Sequence, residues 1–445
     1  MSFSPEQIIA LAPDAPSAKA GRSLASTGKW PARGYDERAV WGECRGSGKE
    51  PYRTQIDLTE PAFRCTCPSR KFPCKHALGL FLLFATQQSS FASGGPPPWV
   101  VEWLEKRDRQ QPKRGTAGEA DQAPAEAAPP TQKKRTTKVK RSSERQTRVA
   151  AGLAELELWM RDLTRRGLAA AQTQPPKYWE QMAARLIDAQ APGAARRVRE
   201  MSSVAASAEE WADVMLARMG SLFLAAEGFK RIESLPEPVQ ADLRAYIGWT
   251  TKEEELSADG LVRDRWVVTG QRTYEEDKLR VQRTWLRGEE SGRDAALLDF
   301  AAPGQALTSG LLTGTMIDAE LVYYPSNYPL RASLRQRHSA PVPRTPVCGY
   351  ASAESFLSAY ADALARNPWI EVFPALFDEV VPIRRDEVWL ARDAGGRLLP
   401  LGPQADGGWK LLAFGGGRPV TLFGEWDGRR LLPLGVWAEG RYARV

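Results

Sequence analysis

The middle of the chain is patterned for α-helices. Between residues 149 and 250, apolar residues recur every three to four positions, as at Leu153, Leu156 and Leu163, with charged residues on the opposite side. That spacing places the apolar side chains on one face of a helix. Proline and glycine residues interrupt the pattern, so the sequence predicts a helical domain over 149–250, with helices at 149–168, 178–190, 191–204 and 209–229 and a fifth ending near residue 249.

Beyond residue 250 the hydrophobic period falls to two, which is the spacing of a half-buried β-strand. Strands are predicted at 265–268, 279–285, 297–300, 315–324, 387–392, 409–414, 420–426 and 431–437. One helix, 353–366, interrupts the series and ends before Asn367-Pro368. Residues 251–445 are therefore predicted to form a β-rich domain, built as an antiparallel sheet or a small barrel.

The first hundred residues mix both periods. Ser4 and Pro5 are typical of a helix start and predict a short helix through Leu11. Residues 39–44 and 52–58 read as two strands, with glycines in the turn between them. A third strand is predicted at 62–67, so this part of the chain is predicted to be a small β-sheet domain.

Four metal-ligand side chains lie at the end of that third strand: Cys65, Cys67, Cys74 and His76. Thiolates and a neutral imidazole are ligands that Zn²⁺ prefers, and four of them close a tetrahedral structural site. Cys65 and Cys67 project to the same side of an extended segment. Pro73 can end the loop, so that Cys74 stands at the start of a helix and His76 in its first turn. We therefore predict one structural zinc ion, with no open position for catalysis.

Two other interpretations compete with zinc. A Cys-x-Cys redox pair gives no reason for the placement of Cys74 and His76. Disulfide bonding fits poorly, because the chain has five cysteines, an odd number, and long cysteine-free stretches. Zinc accounts for all four residues at once.

The motif resembles the SWIM zinc finger, whose signature is Cys-x-Cys, a spacer, and Cys-x-His. The spacer here is short for that family. Residues 41–48, 51–52 and 68–73 are similar to bacterial SWIM proteins in particular, and the resemblance covers about the first 100 residues. It implies a small β-hairpin-plus-helix zinc domain, here residues 1–105 with a finger core at about 52–86. It also implies DNA binding or protein–protein contact, and no catalytic residue.

Charge is unevenly distributed along the chain. Residues 1–148 hold 25 Lys and Arg against 15 Asp and Glu, whereas the remainder holds 36 against 39. Residues 106–148 are rich in Lys, Arg, Ala and Pro and poor in large apolar side chains, which predicts a disordered basic linker. Six cations are clustered within it: Lys133, Lys134, Arg135, Lys138, Lys140 and Arg141.

Two functions fit these linker cations: they can bind a phosphate backbone without sequence selectivity, or they can belong to a solvated spacer. Beside the cysteines, four further cations either offset the negative charge of the thiolates or contact phosphate: Arg64, Arg70, Lys71 and Lys75. We therefore predict DNA or RNA as a candidate partner of residues 1–148, and a protein as a candidate partner of residues 149–445.

No motif predicts catalysis. His338 is the one histidine outside the zinc motif, which argues against histidine-based chemistry in the C-terminal half. Cys348 lacks other ligand types at useful spacing, and Cys44 is predicted to be a buried strand residue. The glycines at 415–417 lack the Lys-Ser/Thr of a phosphate loop.

The chain is thus predicted to be a multidomain α+β protein, with a zinc-bound β-hairpin/helix domain, a disordered basic linker, a helical domain and a β-rich C-terminal domain. It has neither a stretch of about eighteen apolar residues nor a basic-then-apolar leader, so we expect a cytoplasmic protein without membrane contact. The predicted function is a zinc-binding, non-enzymatic interaction protein whose finger and linker contact nucleic acid, a protein partner or both. The alternative is an enzyme or ligand-binding protein with its site in the β-rich domain.

Overall fold

The computed structural model describes residues 5–9, 11–45, 50–59, 61–69, 71–110, 132–207, 210–249, 251–257, 260–276, 279–302, 307, 310–344, 348–402 and 407–445. They form a mixed α+β chain, with a small β-sheet domain carrying a Cys/His cluster, a helical bundle and a β-rich C-terminal domain. Within these residues, no helix is long and apolar enough to cross a membrane.

The N-terminal domain is a five-stranded sheet packed between helices. Its helices are α1 (Pro5–Ile9), α2 (Ala15–Leu24), α3 (Lys75–Thr86) and α4 (Pro98–Gln110), and its strands are β1 (Ala32–Tyr35), β2 (Ala39–Cys44), β3 (Tyr52–Asp57), β4 (Ala62–Cys65) and β5 (Ala92–Ser93). The strand order is β4-β3-β2-β1-β5, antiparallel except for the β1–β5 pair. The strands predicted at 39–44 and 52–58 are confirmed as β2 and β3, and the third ends two residues early, at Cys65.

Different helices cover the two faces of this sheet. Val40, Ile56 and Phe63 share one buried apolar cluster with α3. Ala39 packs with Trp103 of α4 in a second cluster, on the opposite face. This division follows from strand geometry, because successive side chains of a strand point to opposite faces.

A buried carboxylate fixes α4 to the sheet. Asp57 on β3 is 1% exposed and lies 3.3 Å from Arg107 Nε of α4 and 3.6 Å from Arg38 Nη2. Arg38 also donates to both carboxylate oxygens of Asp108 on α4, at 2.6 and 3.0 Å. Helix α4 is not predicted from the sequence, because its apolar positions span barely two turns.

The predicted linker, 106–148, overlaps helices at both ends. Helix α4 extends to Gln110, and the long helix α5 (Gln132–Arg165) begins well before residue 148. Residues 111–131 lie outside the described part of the chain. The cation-rich segment 133–141 therefore lies in the first part of helix α5, whose later part belongs to the bundle.

The bundle consists of α5, α6 (Ala169–Gln172), α7 (Pro176–Asp188), α8 (Pro192–Ala205), α9 (Trp211–Lys230) and α10 (Glu237–Ile247). One buried apolar cluster joins them, with members such as Leu156, Met182, Val198, Leu222 and Leu243 on successive long helices. All five predicted helices are present, because each buries apolar residues that recur every three to four positions; α9 also carries exposed apolar residues, such as Leu216 and Phe223, outside its buried face.

The β-rich domain contains two six-stranded antiparallel sheets. Its elements are β6 (Leu261–Glu276), β7 (Leu279–Gly288), β8 (Asp294–Ala301), β9 (Thr315–Tyr323), β10 (Ala332–Arg337), β11 (Val342–Pro343), α11 (Ala353–Arg366), β12 (Phe373–Arg385), β13 (Val388–Arg392), β14 (Leu398–Pro400), α12 (Gly407–Gly415), β15 (Val420–Trp426), β16 (Leu431–Ala438) and β17 (Arg441–Arg444). One sheet has the order β10-β9-β6-β7-β8, with β11 on β9, and the other β14-β13-β12-β15-β16-β17. Trp285 of the first sheet shares a buried apolar cluster with Leu376, Phe423 and Trp437 of the second, and its ring centroid lies 6.4 Å from that of Phe423.

The prediction of a strand at 409–414 is wrong, because these residues lie in helix α12. Its buried residues include Gly407, Leu411 and Gly415, which are four positions apart, as expected of a helix face. Gly416 and Gly417 follow with φ of 60° and 77°, a left-handed ending that terminates helices. A short apolar run bounded by glycines does not distinguish a strand from a helix.

Polar contacts join the domains. Asp242 of α10 is buried and accepts hydrogen bonds from the amide of Asn327 and from Nδ2 of Asn367, both at 2.9 Å. Gln7 of α1 donates to the carbonyl of Gly314 at 3.1 Å. The bundle and the N-terminal domain therefore both contact the β-rich domain.

Candidate metal centre and interface cleft

Four ligand atoms converge where β4 ends and α3 begins. Cys65 is the last residue of β4, Cys67 lies in the following loop, Cys74 is the N-cap of α3 and His76 is in its first turn. One ligand atom from each residue lies within 4.8 Å of those of the others. The predicted placement of Cys74 and His76 is confirmed.

The spacing of these atoms fits a zinc ion. Cys65 Sγ and His76 Nδ1 are 3.8 Å apart. Bonds of about 2.3 Å to sulfur and about 2.0 Å to nitrogen at a tetrahedral angle would place two such atoms about 3.5 Å apart. The cluster can therefore hold one Zn²⁺, and it is the one His/Cys/Asp/Glu group with this capacity among the described residues.

Neighbouring side chains hold the ligands in position. Thr54 on β3 donates its hydroxyl to Cys65 Sγ at 3.2 Å. The ring of Tyr52 packs on that of His76, with centroids 4.9 Å apart. The amide of Thr66 donates to the carbonyl of Arg53, and the Thr66 hydroxyl accepts from the Arg53 amide, both at 3.0 Å. Such contacts around a metal site fix ligand orientation.

The thiols differ in acidity. Hydrogen bonds from the thiol of Cys74, and then from His76 and Thr54, lower the pKa of Cys65 to about 4. The same contact raises the pKa of Cys74, and burial raises the pKa of Cys67. Three thiolates this close repel one another, so the site favours a dication, and Zn²⁺ deprotonates coordinating thiols outright.

The remaining cysteines and histidine lie outside the metal cluster. Cys44 is fully buried in β2, as predicted, and burial raises the pKa of its thiol. Cys348 is exposed. His338 is also exposed, and its Nε2 lies 2.9 Å from Glu320 Oε1.

The candidate nucleic-acid contacts fall into three groups. Arg64 and Lys75 are exposed on the N-terminal domain. Lys71 is exposed but pairs with Asp14 at 2.7 Å, and Arg70 lies outside the described residues. The other six lie on the N-terminal part of α5, where the structure describes the backbone alone: Lys133, Lys134, Arg135, Lys138, Lys140 and Arg141.

A cleft of about 810 Å³ lies between the N-terminal domain and the β-rich domain. Phe72 and Pro73, next to the metal ligand Cys74, line one wall, and Tyr274 of β6 lines the other. Among the described lining residues, four cations outnumber two acidic groups: Arg22, Arg280, Lys410 and Arg444 against Asp14 and Glu275. The cleft is not predicted from the sequence, because its residues are brought together only by the packing of the domains.

Two carboxylates of the β-rich domain, Glu425 buried and Asp294 partly buried, have partners within the chain. Glu425 accepts hydrogen bonds from Arg272 at 3.0 Å and from Arg283 and Trp285 Nε1 at 2.9 Å. Arg287 donates to Asp294 at 2.9 Å, although burial raises the pKa of that carboxyl. The Glu425 contacts link one sheet to the other, which is a structural role.

Comparison with known families agrees with this geometry. Residues 52–84 match the SWIM zinc finger, and that range contains all four ligands of the cluster. Residues 144–247 match the SWIM-associated four-helix bundle domain, from within α5 to the end of α10. No match was found among curated proteins or solved structures. The chain therefore carries a SWIM zinc finger together with the SWIM-associated four-helix bundle domain.

Proposed function

We propose that this chain is a non-enzymatic zinc-finger protein that binds single-stranded nucleic acid in the cleft between its finger and its β-rich domain. The observation that carries the proposal is the lining of that cleft, where four cations accompany three aromatic rings, Phe63, Phe72 and Tyr274. Cations neutralise the phosphate backbone, and aromatic rings stack on unpaired bases.

The charge distribution along the chain supports the same function. The excess of cations lies in residues 1–148, which include the finger and the start of α5. Lys75 is exposed at the start of α3, and Arg64 is exposed on β4. Both add to the positive charge of the N-terminal domain outside the lining of the cleft.

Two observations support a non-enzymatic role. Four protein ligands complete the tetrahedral shell of zinc, whereas catalytic zinc keeps one position for water or substrate. His338, the one histidine outside the cluster, is a surface residue paired with Glu320.

Fluorescence anisotropy of a labelled oligodeoxythymidine tests the proposal with the full-length protein. We expect binding at low salt that weakens as salt rises, with a slope of log K against log salt of about −0.7 for each phosphate neutralised. A duplex of matched length should bind more weakly, because its bases cannot stack on the rings of the cleft. Absence of binding at low salt would refute nucleic-acid recognition.

Charge-removing variants locate the interface. Lys410→Gln and Arg22→Gln should each reduce affinity and make the salt slope shallower by about 0.7. Lys177→Gln is the matched control, because Lys177 is an exposed cation on α7 of the bundle and does not line the cleft. Equal losses in all three variants would place the interface elsewhere.

A second candidate function is recognition of a small anionic ligand by the same cleft. It is favoured by the cleft volume of about 810 Å³, which lies in the range of roughly 300–1,000 Å³ typical of small-molecule sites. Competition with a nucleoside monophosphate separates the two candidates. A monophosphate that binds as tightly as the oligonucleotide would favour the ligand-binding function.

A further inference from the structure

A surface groove of about 470 Å³ runs between α5 and α9 of the bundle. Its walls are apolar, with Met160 from α5 and Leu216, Met219 and Phe223 from α9. Leu216 is 57% exposed and Phe223 is 38% exposed. Clustered apolar side chains left this open to water are typical of a surface that contacts another molecule.

One of the residues that line the groove is a glycine, although the packing of the described chain would leave room for a larger side chain there. Gly220 lies in the middle of α9, and a Cβ built on it would have no atom of the described chain within 4 Å. A glycine inside a helix costs about 1 kcal/mol relative to alanine. No close contact within the described chain requires a glycine here. We therefore interpret the absence of a side chain at Gly220 as leaving room for a side chain or backbone of another molecule.

The shape of the groove suits a helix. Lys230 near the end of α9 pairs with Glu157 of α5 at 2.6 Å, and Arg161 lies over the ring of Phe223, so the two helices run antiparallel. From Leu216 to Phe223 the groove follows two turns of α9, or about 10 Å. A helix laid between two others presents residues at i, i+4 and i+7 to such a groove.

The charged side chains that line the groove are positive. Among the described lining residues, the two charged ones are Arg161, which already pairs with the buried Glu157, and Arg165. The Arg165 side chain is 79% exposed and pairs with the exposed Asp162 at 3.6 Å, a surface contact of little energy. A partner carboxylate can therefore replace that contact.

We infer that this groove binds an amphipathic helix of a protein partner, with apolar residues at i, i+4 and i+7 and acidic residues beside them. The apolar residues occupy the space above Gly220 between Met160 and Phe223. The acidic residues pair with Arg165. The SWIM-associated bundle thereby acts as a docking domain in addition to any role of the finger.

Two synthetic helical peptides test this with the full-length protein. Both carry leucines at i, i+4 and i+7, and one is flanked by glutamates and the other by lysines. By anisotropy, the glutamate peptide should bind at least tenfold more tightly than the lysine peptide. A glutamate peptide that binds no better than its scrambled sequence would overturn the inference.

Gly220→Leu tests the position of the groove. Its Cβ meets nothing in the described part of the chain, so the variant should be at least as thermally stable as the wild type while the glutamate peptide binds at least tenfold more weakly. Leu158→Ala is the matched control, because Leu158 is 63% exposed on α5 and does not line the groove. Unchanged affinity in Gly220→Leu would contradict the inference.

Arg165→Glu tests the charge of the rim. It should reverse the preference of the protein from the glutamate peptide to the lysine peptide, whereas Arg166→Glu, an exposed neighbour outside the lining, should not. Sedimentation velocity tests the competing occupant, a second copy of the chain. A wild-type dimer that Gly220→Leu converts to a monomer would overturn the assignment to an acidic helical partner.

Discussion

At the scale of single residues, Cys74 links the metal to the fold. It contributes one thiolate to the cluster and is also the N-cap of α3, the helix whose apolar side chains form the centre of the N-terminal domain. Cys65 ends β4, so zinc joins the sheet to this helix. Small domains held together in this way depend on the metal for their stability.

We predict that Cys74→Ser abolishes stoichiometric zinc binding and exposes the amides of β2, β3 and α3 to hydrogen exchange, while the bundle and the β-rich domain stay protected. Chelation of zinc from the wild type should give the same pattern. Zinc content by elemental analysis and hydrogen-exchange mass spectrometry provide the measurements.

Cys348→Ser is the control for this prediction, since Cys348 is an exposed cysteine outside the cluster. It should retain one zinc ion and native protection. Normal protection of β3 and α3 in Cys74→Ser would show that the domain folds without its metal.

The metal ligands could be predicted from the sequence because their constraint is local. Cys65, Cys67, Cys74 and His76 occupy a short segment, and Pro73 marks the start of the helix. The cleft could not be predicted, because Arg22 and Arg444 meet only through the packing of two domains. The residues that flank Arg22 and Arg444 in the sequence form no motif that would indicate a nucleic-acid or ligand site.

At the scale of elements, the clearest patterns gave the most accurate predictions. The helix Ala353–Arg366 and the strand Val420–Trp426 have the predicted bounds, because each combines one clear period with a defined end. Helix α12 was predicted as a strand, since its short apolar run fits both periods. The short strands β5 and β11, of two residues each, carry no periodicity that predicts them.

The attachment of α4 to the sheet gives a second prediction. Asp57→Ala removes the buried carboxylate that lies beside the partly buried Arg107 and Arg38, so we expect a loss of about 2–3 kcal/mol in the stability of the N-terminal domain. Arg38 keeps a second acidic partner, Asp108, in this variant. Asp108→Ala, which breaks an exposed pair with Arg38, should cost about 0–1 kcal/mol. Urea denaturation followed by tryptophan fluorescence measures both, and equal losses would contradict the role assigned to Asp57.

The contact between α8 and α10 gives a third prediction. A Cβ on Gly193 would lie 2.5 Å from the carbonyl oxygen of Tyr246 and 2.6 Å from the amide of Gly248. Because these are backbone atoms, Gly193→Ala should destabilise the bundle by about 1–3 kcal/mol. Gly220→Ala, with open space around the new methyl group, should instead stabilise it by about 0.5–1 kcal/mol. Thermal unfolding distinguishes them, and a neutral Gly193→Ala would refute the close approach.

At the scale of the whole molecule, the β-rich domain contacts both of the others. The buried Asp242 joins it to the bundle through Asn327 and Asn367, and Gln7 joins it to the N-terminal domain. The order of α-rich and β-rich segments was predictable from periodicity, whereas these contacts were not, because they depend on single polar residues. The cleft proposed to bind nucleic acid and the groove proposed to bind a helix lie in different parts of the chain, so one molecule can use both.

X-ray absorption at the zinc edge of the full-length protein tests most directly whether the finger holds a closed, structural zinc ion. The geometry of Cys65, Cys67, Cys74 and His76 predicts three sulfur atoms at about 2.3 Å and one nitrogen at about 2.0–2.1 Å, with no oxygen. A bound water oxygen, or fewer than three sulfur ligands, would contradict the closed site and would restore metal catalysis as a function of this domain.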